Sequence, residues 1–407
     1  MSRTLPPAGG LRGLRAVPSG VWALGFVSLF MDVSSEMIHA LLPVFLVTSL
    51  GASAVAVGLI EGVAEATASI AKVFSGALSD RLGRRKPLVL LGYGLAALTK
   101  PLFPLATSAG TVLLARFVDR IGKGIRGAPR DALIADLTPE AARGASYGLR
   151  QALDTGGAVA GPLLAIALML LFAGDFRAVF WVAVVPAVVA FALVAVGVED
   201  RGAPAPAAEA RPPLRRADLR GLGRPYWFVL GAAAVASLAR FSEAFLVLRG
   251  QSLGLTAAWA PLALVAMNLA YAASSYPAGA LSDRIGRGAL LAGGFAILAA
   301  SDTVLALAGG LGGLLAGVLL WGLHLGLTQG LLAAMVADAA PAPARGTAFG
   351  LFHLVSGLAL LLASAAAGLL WESFGPRGTF LAGAALAAAA FAGLVLARRR
   401  LAQEPGR

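Results

Sequence analysis

Residues Gly76–Pro87 read GALSDRLGRRKP and residues Gly279–Arg287 read GALSDRIGR, two nearly identical loops that begin 203 positions apart. Ser49-Leu50-Gly51 and Ser252-Leu253-Gly254 share that offset. Ile134-Ala135-Asp136 and Val336-Ala337-Asp338 recur at 202, as do Arg143-Gly144 with Arg345-Gly346 and Gly148-Leu149 with Gly350-Leu351. Chance similarity in an Ala/Leu-rich chain gives scattered apolar matches, not charged loop motifs repeated in order. The chain is therefore read as two homologous halves.

The surroundings of these loops fix the solvent. Of 407 residues, 58% are hydrophobic and 13% charged, where a soluble domain is nearer half and a quarter. A bilayer-spanning helix takes about 20 apolar residues, so twelve take about 240, close to what this chain holds. That excludes a soluble enzyme, a coiled coil, a disordered chain and any sizeable extramembrane domain. Apolar runs predict twelve helices at 20–48, 52–78, 88–107, 110–136, 145–172, 178–198, 225–250, 257–281, 288–309, 311–337, 346–371 and 376–397. The expected fold class is all-α and integral to the membrane, with two pseudo-symmetric six-helix bundles, 20–198 and 225–397. A Pro-, Ala- and Arg-rich linker over 199–224 joins them, and tails cover 1–19 and 398–407. No short apolar core with a cleavage site precedes the first span, so no removable signal peptide is expected and the first span inserts the chain. With no cysteine, disulfides, thiolate metal sites and cysteine nucleophiles are excluded.

The net charge is +12. In a soluble protein such an excess would suggest nucleic acid; here topology accounts for it. Twenty-one Lys and Arg fall in segments that share the side of the termini, and three, Arg177, Arg249 and Arg377, fall on the other. The positive-inside rule then places both termini in the cytoplasm. Nine basic residues remain within spans.

The repeated loop closely resembles the one between helices 2 and 3 of the major facilitator superfamily, G-x-L-[AS]-D-R-x-G-R-[RK], which that family repeats between helices 8 and 9. The resemblance covers the whole chain: twelve spans, duplicated halves, a central loop and both motifs. It implies a conformational latch. Gly76 and Gly279 would allow close helix approach, Asp80 and Asp283 would accept hydrogen bonds at a neighbouring helix N-terminus, and Arg81 and Arg284 would reach Asp136 and Asp338. Gly83, Arg84 and Gly286 complete the motif. A second element, Gly157-Ala-Val-Ala-Gly161-Pro162, resembles the Gly-x-x-x-Gly-Pro of proton-coupled exporters, although Leu164 and Ala165 stand where that pattern ends in glycines.

Ionisable residues within spans are costly and face a protein interior or a water-filled path. The first span places Asp32, Glu36 and His39 on one face. The second places Glu61, Glu65 and Lys72 on a narrow arc. The fourth carries Arg116, Asp119, Arg120, Lys123, Arg126, Arg130 and Asp131 within an arc of about 140°, which no lipid-facing helix tolerates. Gly122, Gly124, Gly127 and Pro129 suggest local unwinding there. The family resemblance puts the faces of helices 1, 4, 7 and 10 on a central cavity, where the second half offers the sparser Arg240, Glu243, Asn268, His324, Gln329 and His353. These charges form either an internal neutralising network or a site that binds an anionic or zwitterionic ligand while a carboxyl carries a proton; the two roles are compatible. Lone His324 reads as a packing residue. Asp302 has no evident role.

The resemblance implies a secondary transporter that moves a small organic solute, anionic where the basic face binds it, by alternating access, with proton-coupled export favoured. Its setting would be a bacterial inner membrane, and it would work as a monomer with the lipid bilayer and a small-molecule or ion substrate as partners. A metal ion or anionic chelate is the alternative cargo, since Asp32, Glu36 and His39 are donors at i, i+4 and i+7; uptake also stays open. A channel or receptor would not require paired latches. No enzymatic motif, resident metal or cofactor is expected, and the coupling ion is expected to be the proton.

Overall fold

The computed structural model describes residues 17–82, 84–139, 142–198, 219, 221–341 and 344–403. Among them every regular element is a helix: α1 (Ser19–Thr48), α2 (Ala54–Leu82), α3 (Lys86–Thr99), α4 (Leu102–Leu105), α5 (Ala109–Leu137), α6 (Arg143–Leu171), α7 (Phe176–Gly197), α8 (Arg224–Ala239), α9 (Ala244–Ser252), α10 (Leu262–Ile285), α11 (Arg287–Leu307), α12 (Leu311–Ala339) and α13 (Arg345–Gln403). Local chemistry sets the ends. Ser108 accepts from the Thr111 N–H at the start of α5, and Asp175 accepts from the Arg177 and Ala178 N–H groups at the start of α7, satisfying donors that a helix N-terminus leaves open. Proline opens α3 and α8, where its missing N–H costs nothing.

Among the described residues the helices combine into twelve rods. α3 and α4 continue one another across Lys100 and Pro101, and α8 and α9 are one rod broken at Arg240–Glu243. α13 turns at Gly375, whose φ of 69° only glycine adopts freely. Among the described residues, nine segments are long and apolar enough to cross a bilayer. α5 is not among them because of its charges; α10 carries Asn268, Tyr271, Ser274, Ser275 and Tyr276. The unwinding expected in the fourth span is absent: α5 runs unbroken through Pro129. Its glycines serve contact instead. A Cβ at Gly122 would lie 2.6 Å from the Gly92 carbonyl oxygen, and one at Gly124 would lie 2.4 Å from the Ala71 Cβ. The break falls in the seventh rod.

Apolar packing shows how the halves meet. Away from the repeated loops, one cluster spans both halves, joining Phe45, Phe103 and Phe180 to Phe241, Phe245, Trp321 and Phe380. At the loop end the clusters are separate: Val21, Leu24, Val89 and Leu133 in the first half, and Tyr226, Leu230, Val336 and Ala348 in the second. The halves are thus sealed at one face and parted at the other. α2 and α13 form part of the seal in near backbone contact; a Cβ at Gly58 would fall 2.2 Å from the Ser364 carbonyl oxygen.

At the outer end of that seam the Val55 N–H donates to Glu372 Oε1 across the halves, at 3.0 Å. This N–H, with the Ser53 hydroxyl and the Ala54 N–H, holds the exposed Glu372 carboxyl below the usual glutamate range. A carboxyl lowered in the joined state supports that state at neutral pH and loses its hold as pH falls through the lowered value. In a chain with no native cysteine, spin labels can be placed at Ala52→Cys and Phe374→Cys alone. Glu372→Ala is expected to add a longer-distance population at neutral pH, and acid is expected to do the same in the parent chain but not further in Glu372→Ala.

Candidate functional site

Most of the charged face of α5 is matched by nearby residues. Arg116 is bonded to Glu61 of α2, Glu61 lies 3.5 Å from His39 Nε2, and His39 Nδ1 lies 3.4 Å from Glu36, both on α1. Arg120 pairs with Glu65 at 3.3 Å. Lys100, only 2% exposed where α3 gives way to α4, donates to Asp119 at 3.1 Å and to Ser35 at 3.0 Å. Arg126 lies 4.6 Å from the centre of the Tyr93 ring. Arg130 donates to Ser28 at 2.9 Å and pairs with Asp131 at 3.3 Å. An unpaired charge in such surroundings costs several kcal/mol, and partners for every charge but Lys123, which faces the cavity, are what let α5 occupy the middle of the first half.

The Gly-Pro element of α6 sets the depth of the acids. A Cβ at Gly157 would lie 2.9 Å from the Asp32 Cβ, and one at Gly161 would lie 2.6 Å from the Glu36 Cβ. Glycines four residues apart on α6 therefore receive acids four residues apart on α1, as small-residue helix crossings do. Pro162 sits inside α6.

Between the parted halves lies a cavity of about 460 Å³. Asp32 and Glu36 of α1, Lys72 of α2, Lys123, Arg126, Arg130 and Asp131 of α5, and Arg150 and Asp154 of α6 line one wall; Asn268, Tyr271 and His353 line the other. Arg150 is bonded to Asp154 at 2.6 Å and approaches Asp131 at 3.9 Å. Asn268 Nδ2 donates to the Ala158 carbonyl at 3.0 Å, tying the second half to α6. Among the described residues, the side chains of Asp32, Lys72 and Lys123 face this space with no hydrogen bond or ion pair.

The predicted residues thus divide. Asp32, Glu36, Lys123, Arg126 and Arg130 line the cavity, whereas His39, Glu61, Glu65, Arg116, Asp119 and Arg120 form the buried network behind it. Arg240 and Glu243 flank the α8–α9 break and do not line the cavity. Asp32, Glu36 and His39 do not converge; among the described residues no group of three or more His, Cys, Asp or Glu is placed to hold a metal ion. His324 is buried, its Nδ1 2.8 Å from the Gly294 carbonyl. In the loops, Arg85 takes Asp136 and Arg287 takes Asp338. The second of these corrects the expected partner: Arg284, one turn earlier near the end of α10, is exposed, while Arg287 begins α11 and holds Asp338 near the end of α12. Gly83 and the side chains of Asp80, Arg81 and Asp283 lie outside the described residues.

Sequence reasoning left Lys100, Arg150, Asp154 and Tyr271 out of the site. The Arg150/Asp154 pair at i and i+4 was a readable signal; Lys100 beside Pro101, where a rod breaks, was a fainter one.

Two like-built helical halves meeting around a charged central cavity define a polytopic membrane transporter. The chain belongs to the Major Facilitator Superfamily: the sequence model of that family matches residues 24–267 and again 229–407. It is 34% identical to an uncharacterised MFS-type transporter of Methanocaldococcus jannaschii, over 92% of this chain and 93% of that one. It is 31% identical to the multidrug resistance protein MdtH of Photorhabdus laumondii over 40% of this chain and 39% of that protein. Among solved structures it resembles a POT family transporter in complex with a thioalcohol-conjugated peptide, with a TM-score of 0.79 at 12% identity, covering 95% of this chain and 99% of that one.

The network carries an energetic expectation. Arg116→Ala leaves Glu61 buried beside an empty space and should destabilise the protein by about 3–5 kcal/mol, read as a lowered melting temperature in detergent. Adding Glu61→Gln to Arg116→Ala should recover most of that loss. Equal melting of the single and double variants would contradict the pairing.

Proposed function

We propose that this protein is a proton-coupled secondary transporter that exports a small organic solute across a bacterial plasma membrane by alternating access. The observation that carries the reading is the unpartnered Asp32 in a cavity closed at one face by a shared apolar cluster and open at the other, where the basic loops lie. The positive-inside rule makes the open face cytoplasmic, so the solute enters from the cell interior. The halves then rock about the cavity: the Arg85–Asp136 and Arg287–Asp338 pairs brace each half at the cytoplasmic face, while the Glu372–Val55 contact and the α2–α13 seam part at the other. Asp32 is the proton carrier. It is fixed by its crossing with Gly157, and the Arg116–Glu61–His39–Glu36 chain lies behind it. The export direction is supported by the Gly157/Gly161/Pro162 element and by the partial likeness to multidrug resistance proteins.

In everted vesicles holding an inside-acid pH gradient, a panel of small organic solutes should include some that collapse the gradient with the parent protein and not with Asp32→Asn, while solute counterflow by Asp32→Asn persists at raised solute concentration. Gradient collapse by Asp32→Asn equal to that of the parent would contradict the assignment.

A further inference from the structure

The free charges of the cavity define more than a proton site. Six of the nine carboxylate, lysine and arginine side chains that line it are matched within the protein, and three are not. Lys72 and Lys123 are neighbours across the α2–α5 crossing, where a Cβ on Gly124 would lie 3.1 Å from the Lys72 backbone nitrogen. Asp32 stands on α1, against α6. Two free ammonium groups on one side and one free carboxyl on the other form a dipolar lining, and the opposite wall of Asn268, Tyr271 and His353 offers hydrogen bonds and ring faces.

Coupling chooses among ligands for that lining. In a proton-driven exporter the solute and the proton must compete, because a carrier that bound both together would move them the same way. A purely anionic solute fails this requirement: protonating Asp32 removes a negative charge near Lys123 and strengthens anion binding. A purely cationic solute competes for Asp32 but faces Lys72 and Lys123 without compensation. A solute with both charges meets both conditions.

Resting on the proton-driven export reading, we propose that the substrate is a small zwitterion whose anionic group lies between Lys72 and Lys123 and whose cationic group displaces the proton from Asp32. The carboxyl faces Glu36 on its own helix, Asp154 on α6, and Lys123 and Arg130 on α5; Glu36, Asp154 and Arg130 have partners of their own, which leaves Lys123 as the free charge that senses its ionisation. The volume of about 460 Å³ falls within the range of roughly 300–1,000 Å³ typical of sites for drug-sized ligands and suits a molecule of amino-acid to small-peptide size. The uncharged body of the solute would lie on Tyr271 and His353.

Two measurements on the purified full-length protein test this. The first uses pyridoxal 5′-phosphate, an anionic aldehyde, trapped on lysine by borohydride and located by mass spectrometry. The chain has four lysines, so the readout is complete: Lys86, half-buried outside the cavity, serves as one reference and Lys100 as the buried one. Phosphate-dependent labelling of Lys72 or Lys123, at least tenfold above that by pyridoxal, supports the anion pair; equal labelling by the two reagents, or labelling confined to Lys86, overturns it. The second is a thermal-shift panel of amino acids and dipeptides, each beside its amide and its deaminated acid. Stabilisation is expected from zwitterionic members alone, weakening at least tenfold in apparent affinity in Lys123→Gln and in Asp32→Asn. Stabilisation shared by the deaminated acid or the amide, or none from any zwitterion, overturns the proposal. Neither measurement involves transport, so failure here with intact Asp32-dependent gradient collapse would reject the substrate class alone, and the reverse pattern would reject proton coupling alone.

Discussion

The cost of placing charge inside an apolar bundle governs this structure. A charged side chain stripped of water and left unpaired costs several kcal/mol, and residues 116–131 of α5 bring seven ionisable side chains into the first half. Its neighbours answer with opposite charges at matched heights: Glu61 and Glu65 on α2 for Arg116 and Arg120, and Lys100 for Asp119. His39 connects Glu61 to Glu36, so that α1, α2 and α5 share one polar chain. Once these partners are assigned, the groups left over at the cavity are few, and the functional reading rests on them.

The second half carries the same architecture without the same charge. Positions corresponding to Arg120, Lys123 and Arg126 are Gly322, Leu325 and Thr328, and α12 packs by close approach, with Gly322 against the Met267 carbonyl and Thr328 against Gly294. This asymmetry divides the work. The first half holds the ionic chemistry; the second supplies a wall of hydrogen-bonding and aromatic groups and the broken α8–α9 rod. Asp302 is the exception, fully buried with neither carboxylate oxygen hydrogen-bonded among the described residues; nothing in the structure explains it.

Much of this was legible in the sequence because the signals were discrete. The duplicated GALSDR loops gave the two halves, and the charged periodicity of residues 116–131 marked the helix that had to face inward. What the sequence could not give was pairing. Periodicity placed Arg116 and Lys123 on the same broad face, yet one is locked to Glu61 and the other is free, a difference that depends on the acid each meets on α2. The glycines of α5 were misread for a related reason: glycine favours both unwinding and close approach, and only the packed neighbours, Gly92 and Ala71, show which applies. Likewise the partner of Asp338 turned on where α11 begins, a boundary that hydropathy does not resolve.

The central claim is that the cavity around Asp32, Lys72 and Lys123 opens to one face of the membrane at a time. Cysteine introduced at Ser69 or Gln151, both on the cavity wall, can be titrated with a membrane-impermeant thiol reagent from either side of oriented vesicles, with the Glu372→Ala seam variant beside the parent chain. The account predicts labelling from the loop-bearing face in the parent, and in Glu372→Ala a loss from that face matched by a gain from the opposite one. Simultaneous labelling from both faces, or accessibility unchanged in Glu372→Ala, would contradict it.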